Sequence, residues 1–176
     1  MAELSATDGG TMSSLPPAFL LDLTLEDVFC QMLKIDPAEW HATKALYASG
    51  TAWSECRIPK KKGFRIIHPP QDPLKKVSKA ALMHVLQSIP VHMAVHGAHP
   101  GTSIVTNARV HAGFARAFYA LDLKDAFPST DKKRLIANLV PKMQRAIRES
   151  TGLDELETQT LAEVILELAL VNDSVP

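Results

Sequence analysis

Val28, Phe29, Met32 and Leu33 fall at helical spacing behind Thr24, which reads as an N-cap with Asp27 three residues on. A second start signal follows at Asp36-Pro37-Ala38-Glu39: Asp as cap, Pro at the first helical position, Glu closing a capping box. That helix carries Trp40, Ala45 and Tyr47 and should stop at Gly50. Lys62-Gly63 then predicts a two-residue turn between short strands, with Lys61 facing Phe64 and Lys60 facing Arg65. Asp72-Pro73 opens a helix whose apolar stripe is Leu74, Val77, Ala81, Leu82, Val85, Leu86 and Ile89, ended by Pro90. Ser103 caps a helix reaching about Arg116, with Asn107 and His111 on one face. Ala117 to Leu121 is an apolar run of the kind a buried strand shows. Asp131 starts a helix that the pattern breaks near Pro141 and resumes to Ser150. Leu156 to Val171 reads as a last amphipathic helix with Leu161, Val164, Ile165 and Leu168 on its apolar side. Residues 1–23, rich in Ser, Thr, Gly and Pro, show no period and predict a mobile arm.

The chemistry gathers where the predicted strand ends. Asp122 stands at the end of an apolar run, Asp125 follows three residues later, and Phe127-Pro128-Ser129 breaks the chain. A carboxylate at the end of a buried strand is costly unless something positive binds it. Positive charge is segregated upstream: between Arg57 and Lys79 there are eight Lys or Arg against one acid, Asp72. A period of two puts Lys60 and Arg65 on one hairpin face, where they repel unless a polyanion lies over them. A solvated basic hairpin is the plainer alternative. His92, His96 and His99 suggest zinc by spacing, but Gly97 opposes a regular helix and no Cys or acid completes a tetrahedral set.

Composition bounds these readings. A chain of 176 residues that is 46% apolar can bury one ordinary core. Its formal charge is zero, so any argument for a nucleic-acid partner must be local. Cys30 and Cys56, far apart, fit a reducing cytoplasm. No apolar segment reaches the ~18 residues of a membrane span, and a cytoplasmic location is expected.

Several blocks in order resemble the first part of a bacterial reverse transcriptase. They are Ile58-Pro59-Lys60-Lys61 with Gly63 and Arg65, then His96-Gly97, Gly101-Thr102-Ser103-Ile104, Asn107-Ala108-Arg109-Val110-His111, and Leu121 through Ser129. The Asn-Ala-x-x-His run is similar to a motif of the retron branch, which favours a retron type over a group II intron type. The resemblance covers about residues 45–176.

It implies an α+β chain, mostly helical with a β-hairpin and a palm strand, forming the fingers and first part of the palm of a right-hand polymerase. Residues 1–23 would be the flexible arm, 24–100 the fingers, and 101–176 the N-terminal part of the palm. The implied reaction is RNA-templated addition of dNTPs to a DNA or RNA primer by two-metal phosphoryl transfer, with phage defence as a biological setting. By the same resemblance Asp122 and the Leu123 carbonyl would bind Mg²⁺, Asp122 being catalytic. Lys60 and Arg65 would hold the triphosphate. Asp125 and Ala126 would meet it through backbone N–H groups, and Phe127 would lie under the sugar as a steric gate. The resemblance further implies that a Gln-Gly block, paired aspartates and the thumb follow in a complete enzyme. The 176 residues are therefore expected to be an inactive N-terminal fragment whose last helix is left with bare apolar surface. Two other readings are a non-catalytic RNA-binding module and one subunit of a split enzyme completed by a separately encoded palm and thumb.

Overall fold

The structure is a computed structural model, and it describes residues 16–97, 100–113, 116, 117, 119, 121–123, 126 and 129–170. Helix α1 (Leu23–Leu33) is capped by Asp22, whose Oδ1 accepts the Leu25 N–H at 2.8 Å. The cap thus lies two residues before the expected Thr24. This earlier start brings Leu25 into line with Phe29 and Leu33, and all three are buried. Helix α2 (Pro37–Ala48) starts as the sequence predicts, with Asp36 Oδ1 accepting the Ala38 N–H at 2.8 Å and Pro37 in the first turn. Glu39 does not close a capping box there. Its Oε1 instead accepts from Lys76 Nζ at 2.8 Å, tying α2 to helix α3 (Asp72–His84). The α3 stripe buries Leu74, Val77 and Ala81, but the helix gives way after His84 to a 3-10 turn at Leu86–Ser88, and Leu82 is exposed.

The chain ahead of α1 is not all arm. A 3-10 turn at Pro17–Phe19 buries Phe19, whose ring meets Trp40 edge-on at 5.2 Å and Tyr47 at 4.7 Å between centroids. Phe29 lies against the other side of this group, 4.8 Å from Trp40. Aromatic contacts of this geometry add to plain area burial, so Phe19 belongs to the core, with Ala18 and Leu21 packed against it. The rest of the expected arm, residues 1–15, lies outside the described residues.

Helix α4 (Ile104–His111) begins with a full capping box between Ser103 and Thr106 and is shorter than predicted. None of its residues is buried. Helix α5 (Lys132–Thr151) is continuous through Pro141, where the sequence predicts a break. Proline removes the donor for the Ala137 carbonyl, yet both residues are on the solvent side, while Val140, Met143 and Ile147 face inward. Helix α6 (Glu155–Glu167) runs back along α5 and buries Leu161, Ala162, Val164, Ile165 and Leu166. Its apolar side, expected to be bare, is thus covered by α5 and by the Pro17–Phe19 turn. The buried residues of α1, α2, α3, α5 and α6 form one cluster. Helices drawn from both sides of residue 100 therefore share a core.

Strands β1 (Cys56–Pro59) and β2 (Phe64–Ile67) form the antiparallel sheet among the described residues. With the helices this gives the mixed α and β content the sequence predicts. The expected strand over 117–121 is not seen at the described residues of that run. The described residues Ala117, Tyr119 and Leu121 lie in no strand, and Tyr119 and Leu121 are 94% and 92% exposed. An apolar run becomes a strand only when neighbouring strands take up its backbone groups.

Candidate functional site

The hairpin pairs Pro59 with Phe64, Ile58 with Arg65, Arg57 with Ile66 and Cys56 with Ile67. Beyond the last pair, the Lys60 N–H donates to the Gly63 carbonyl at 3.0 Å, so Lys61 and Lys62 make the turn. Gly63 follows at φ +80°, a conformation that glycine takes without strain. The turn is therefore one residue earlier than predicted, and Lys60 faces Gly63 rather than Arg65. The displaced turn changes the register by an even number of residues, so the faces are kept. Lys60 and Arg65 still share one side of the sheet, now as diagonal neighbours, together with Ile58.

The same register continues toward the core. Ser54 N–H donates to the Pro69 carbonyl at 3.0 Å, Trp53 bridges Pro70, and Gln71 N–H donates to the Ala52 carbonyl at 2.9 Å. Gln71 is the N-cap residue of α3. Pairing in one register thus recurs from the first turn of α3, through an isolated bridge at Trp53–Pro70, to the tip that carries the cations. The outer part of the hairpin is exposed on both faces, including Phe64 and Ile66.

Side-chain pairing sorts the eight basic residues of this segment. Arg57 Nε donates to Glu55 at 3.1 Å, and Lys76 is held by Glu39. Lys60, Lys61, Lys62, Arg65, Lys75 and Lys79 form no ion pair among the described residues. All six are exposed.

The acidic part of the site is held at its C-terminal end. Asp131 caps α5, its Oδ1 accepting the Lys133 N–H at 3.0 Å, and Thr130 Oγ1 donates to the Ala126 carbonyl at 2.7 Å. Lys132 is ion-paired to Glu167 near the end of α6. The Glu167 carbonyl also accepts from the Tyr47 hydroxyl at 3.1 Å, and burial holds that phenol far above its usual range. This anchor was missed in the sequence, where Glu167 offers only the signal of an acid interrupting an apolar helix. Asp122, Leu123 and Ala126 are exposed and lie outside helix and strand. Asp125 and Phe127 lie outside the described residues.

Among the described residues no three of His, Cys, Asp and Glu gather into a metal-holding group. Divalent cations such as Mg²⁺ need several oxygen ligands, so the described residues do not by themselves fit a metal centre around Asp122. His96 Nδ1 lies 3.2 Å from Thr106 Oγ1, and His92 Nδ1 accepts the Ala94 N–H at 3.2 Å, so these imidazoles make local hydrogen bonds. Asn107 is exposed on α4. Among the described residues no helix is long and apolar enough to cross a membrane.

The chain is 34% identical over 134 residues to the Retron Mx162 reverse transcriptase of Myxococcus xanthus, a match covering 76% of this chain and 27% of the relative. It is 38% identical over 84 residues to the Retron Mx65 reverse transcriptase of the same organism, covering 47% of this chain and 19% of the relative. The chain thus spans about a quarter or less of the length of these curated relatives. No protein-family model matches, and no solved structure matches.

Proposed function

We propose that the chain is part of a retron-type reverse transcriptase, as its likeness to two such enzymes supports, and that it supplies the nucleotide-facing part of an RNA-directed DNA polymerase. The observation that carries this reading is the pair of exposed cations, Lys60 and Arg65, without an ion pair among the described residues, on one face of a hairpin in which Arg57 is already paired. Together they can donate charge-assisted hydrogen bonds to the triphosphate of an incoming dNTP. The backbone N–H groups of Asp125 and Ala126 approach the same triphosphate, and Phe127 lies under the sugar, where its bulk excludes a 2′-hydroxyl. Asp122 and the Leu123 carbonyl contribute toward bound Mg²⁺, with the remaining ligands drawn from outside the described residues. Residues 24–100 act as fingers, and the palm begins at 101. An RNA template and a primer complete the assembly.

The test uses a full-length polymerase carrying this segment. Lys60→Ala with Arg65→Ala should raise the KM for dNTP by about 10- to 100-fold, the range for losing hydrogen bonds to a charged group. Asp122→Asn should abolish extension while template affinity stays. Phe127→Val should relax exclusion of ribonucleotides. An unchanged KM would remove the triphosphate role, and retained extension by Asp122→Asn would remove the metal-ligand role.

A further inference from the structure

The start of α5 carries charge of the wrong sign for its place. Its first residues are Lys132, Lys133 and Arg134, with no acid in the first turn, although a helix N-terminus disfavours cations. Glu167, the last residue of α6, stands at a helix C-terminus, which disfavours anions, and the last turn there holds no base. Each charge therefore weakens its own helix. The return of α6 along α5 brings Lys132 and Glu167 together as an ion pair, with their side chains only 28% and 16% exposed.

Glu167 is itself a fixed point. Its carbonyl accepts from the Tyr47 hydroxyl of α2, and the Leu168 carbonyl beside it lies 3.4 Å from the Ser78 hydroxyl of α3. Lys132 thus ties the first turn of α5 to a post braced by α2 and α3. On α5 itself, apolar contact with the core begins only at Leu135. Upstream of the tie, Asp122, Leu123, Ala126 and Ser129 are exposed and lie outside helix and strand. The Thr130 hydroxyl, donating to the Ala126 carbonyl, joins that stretch to the helix start.

We infer that Lys132 is a positioning residue, which through Glu167 sets where the stretch bearing Asp122 stands relative to the helices that carry the hairpin. Of these, α3 follows directly on Gln71, whose N–H is bonded to Ala52 at the hairpin base. The role rests on the reverse-transcriptase reading, in which Asp122 meets Mg²⁺ while Lys60 and Arg65 meet the triphosphate. Misplacement of such groups by about 1 Å costs on the order of 100-fold in rate.

The test is single-turnover incorporation by a full-length polymerase carrying this segment, with the rate expressed per active site. Lys132→Met should slow incorporation by about 10- to 100-fold, while the KM for dNTP, set at Lys60 and Arg65, stays as it is. Glu167→Gln should slow it to the same degree and the double variant no further, as for two residues acting through one contact. Lys132→Glu with Glu167→Lys restores the pair, each charge now favoured by its own helix end, and should recover most of the rate. Lys133→Met, which removes the neighbouring exposed cation, should leave the rate unchanged. A merely structural role would lower the Tm and the number of active sites at an unchanged rate per site, and that result overturns the inference. So does a reversed pair that recovers nothing, or an equal loss in Lys133→Met. Extension retained by Asp122→Asn would bring down the reverse-transcriptase reading and this role with it. With Asp122→Asn inactive and Lys132→Met unimpaired, the positioning role alone falls.

Discussion

Breaking the Glu26–Lys44 pair from its two ends should have unequal costs. Glu26 lies on α1 and is only 6% exposed, with both carboxylate oxygens accepting from Lys44 Nζ of α2 at 2.8 and 2.9 Å. At 2.8 Å the gross attraction is about 6 kcal/mol for an effective dielectric of 20. Desolvation of several kcal/mol per ion offsets most of it. Lys44→Met leaves Glu26 buried with only the His41 ring, 3.4 Å away, as a partial replacement. It also removes the ammonium from its place 5.7 Å over the Trp40 ring. The expected loss is about 3 kcal/mol, the lower end for stranding a buried charge. Glu26→Met frees a lysine that is already 20% exposed and can reach water, and should cost about 1 kcal/mol. The double variant should lie near the Glu26→Met single. Urea unfolding followed by circular dichroism reads this as a shift in midpoint at unchanged m-value. A Lys44→Met cost below about 1 kcal/mol, or a larger cost for Glu26→Met, would refute the reasoning.

Leu161→Ala, at a fully buried position of α6, should cost about 2–5 kcal/mol in the same assay; a near-zero cost would mean that α6 is uncovered in solution. Cys30 is buried beside Glu26 and Asp27, and burial first, then those carboxylates, push its thiol up to about 11, whereas Cys56 is exposed. At pH 8, iodoacetamide should therefore label Cys56 and spare Cys30 until urea is added. Because the Cys30 value is raised on folding, its contribution to stability is whole below about 9 and declines as pH rises toward 11. Equal labelling of both thiols in the folded chain would contradict this burial.

The sequence pattern located most helices because their apolar stripes and caps are local signals. Asp36-Pro37, Ser103 and the stripe of α6 are found where they were read. What it could not supply was the partner of each stripe. The α6 face packs on α5, which became possible because Pro141 falls on the solvent side and leaves α5 unbroken. The run at 117–121 has strand composition, but composition does not bring the neighbours that make a strand. Uncovered apolar side chains therefore lie on α4 and at Tyr119, Leu121 and Leu123. The Lys60–Arg65 face was legible despite a misplaced turn, since side-chain parity survives an even change of register. The Lys132–Glu167 and Tyr47–Glu167 links join residues far apart in the chain, and no local pattern announces them.

The ladder beneath the hairpin also decides where the chain can change length. Its pairing is anchored at the α3 end by Gln71 against Ala52 as well as at the turn by Lys60 against Gly63. Residues added between Lys61 and Lys62 would enlarge the tip and leave both strands in place, so natural variation or an engineered epitope is tolerated there. One residue added between Trp53 and Lys60 would carry Lys60 to the opposite side from Arg65. The tip is thus the elastic end of the device, and the stem fixes its gauge.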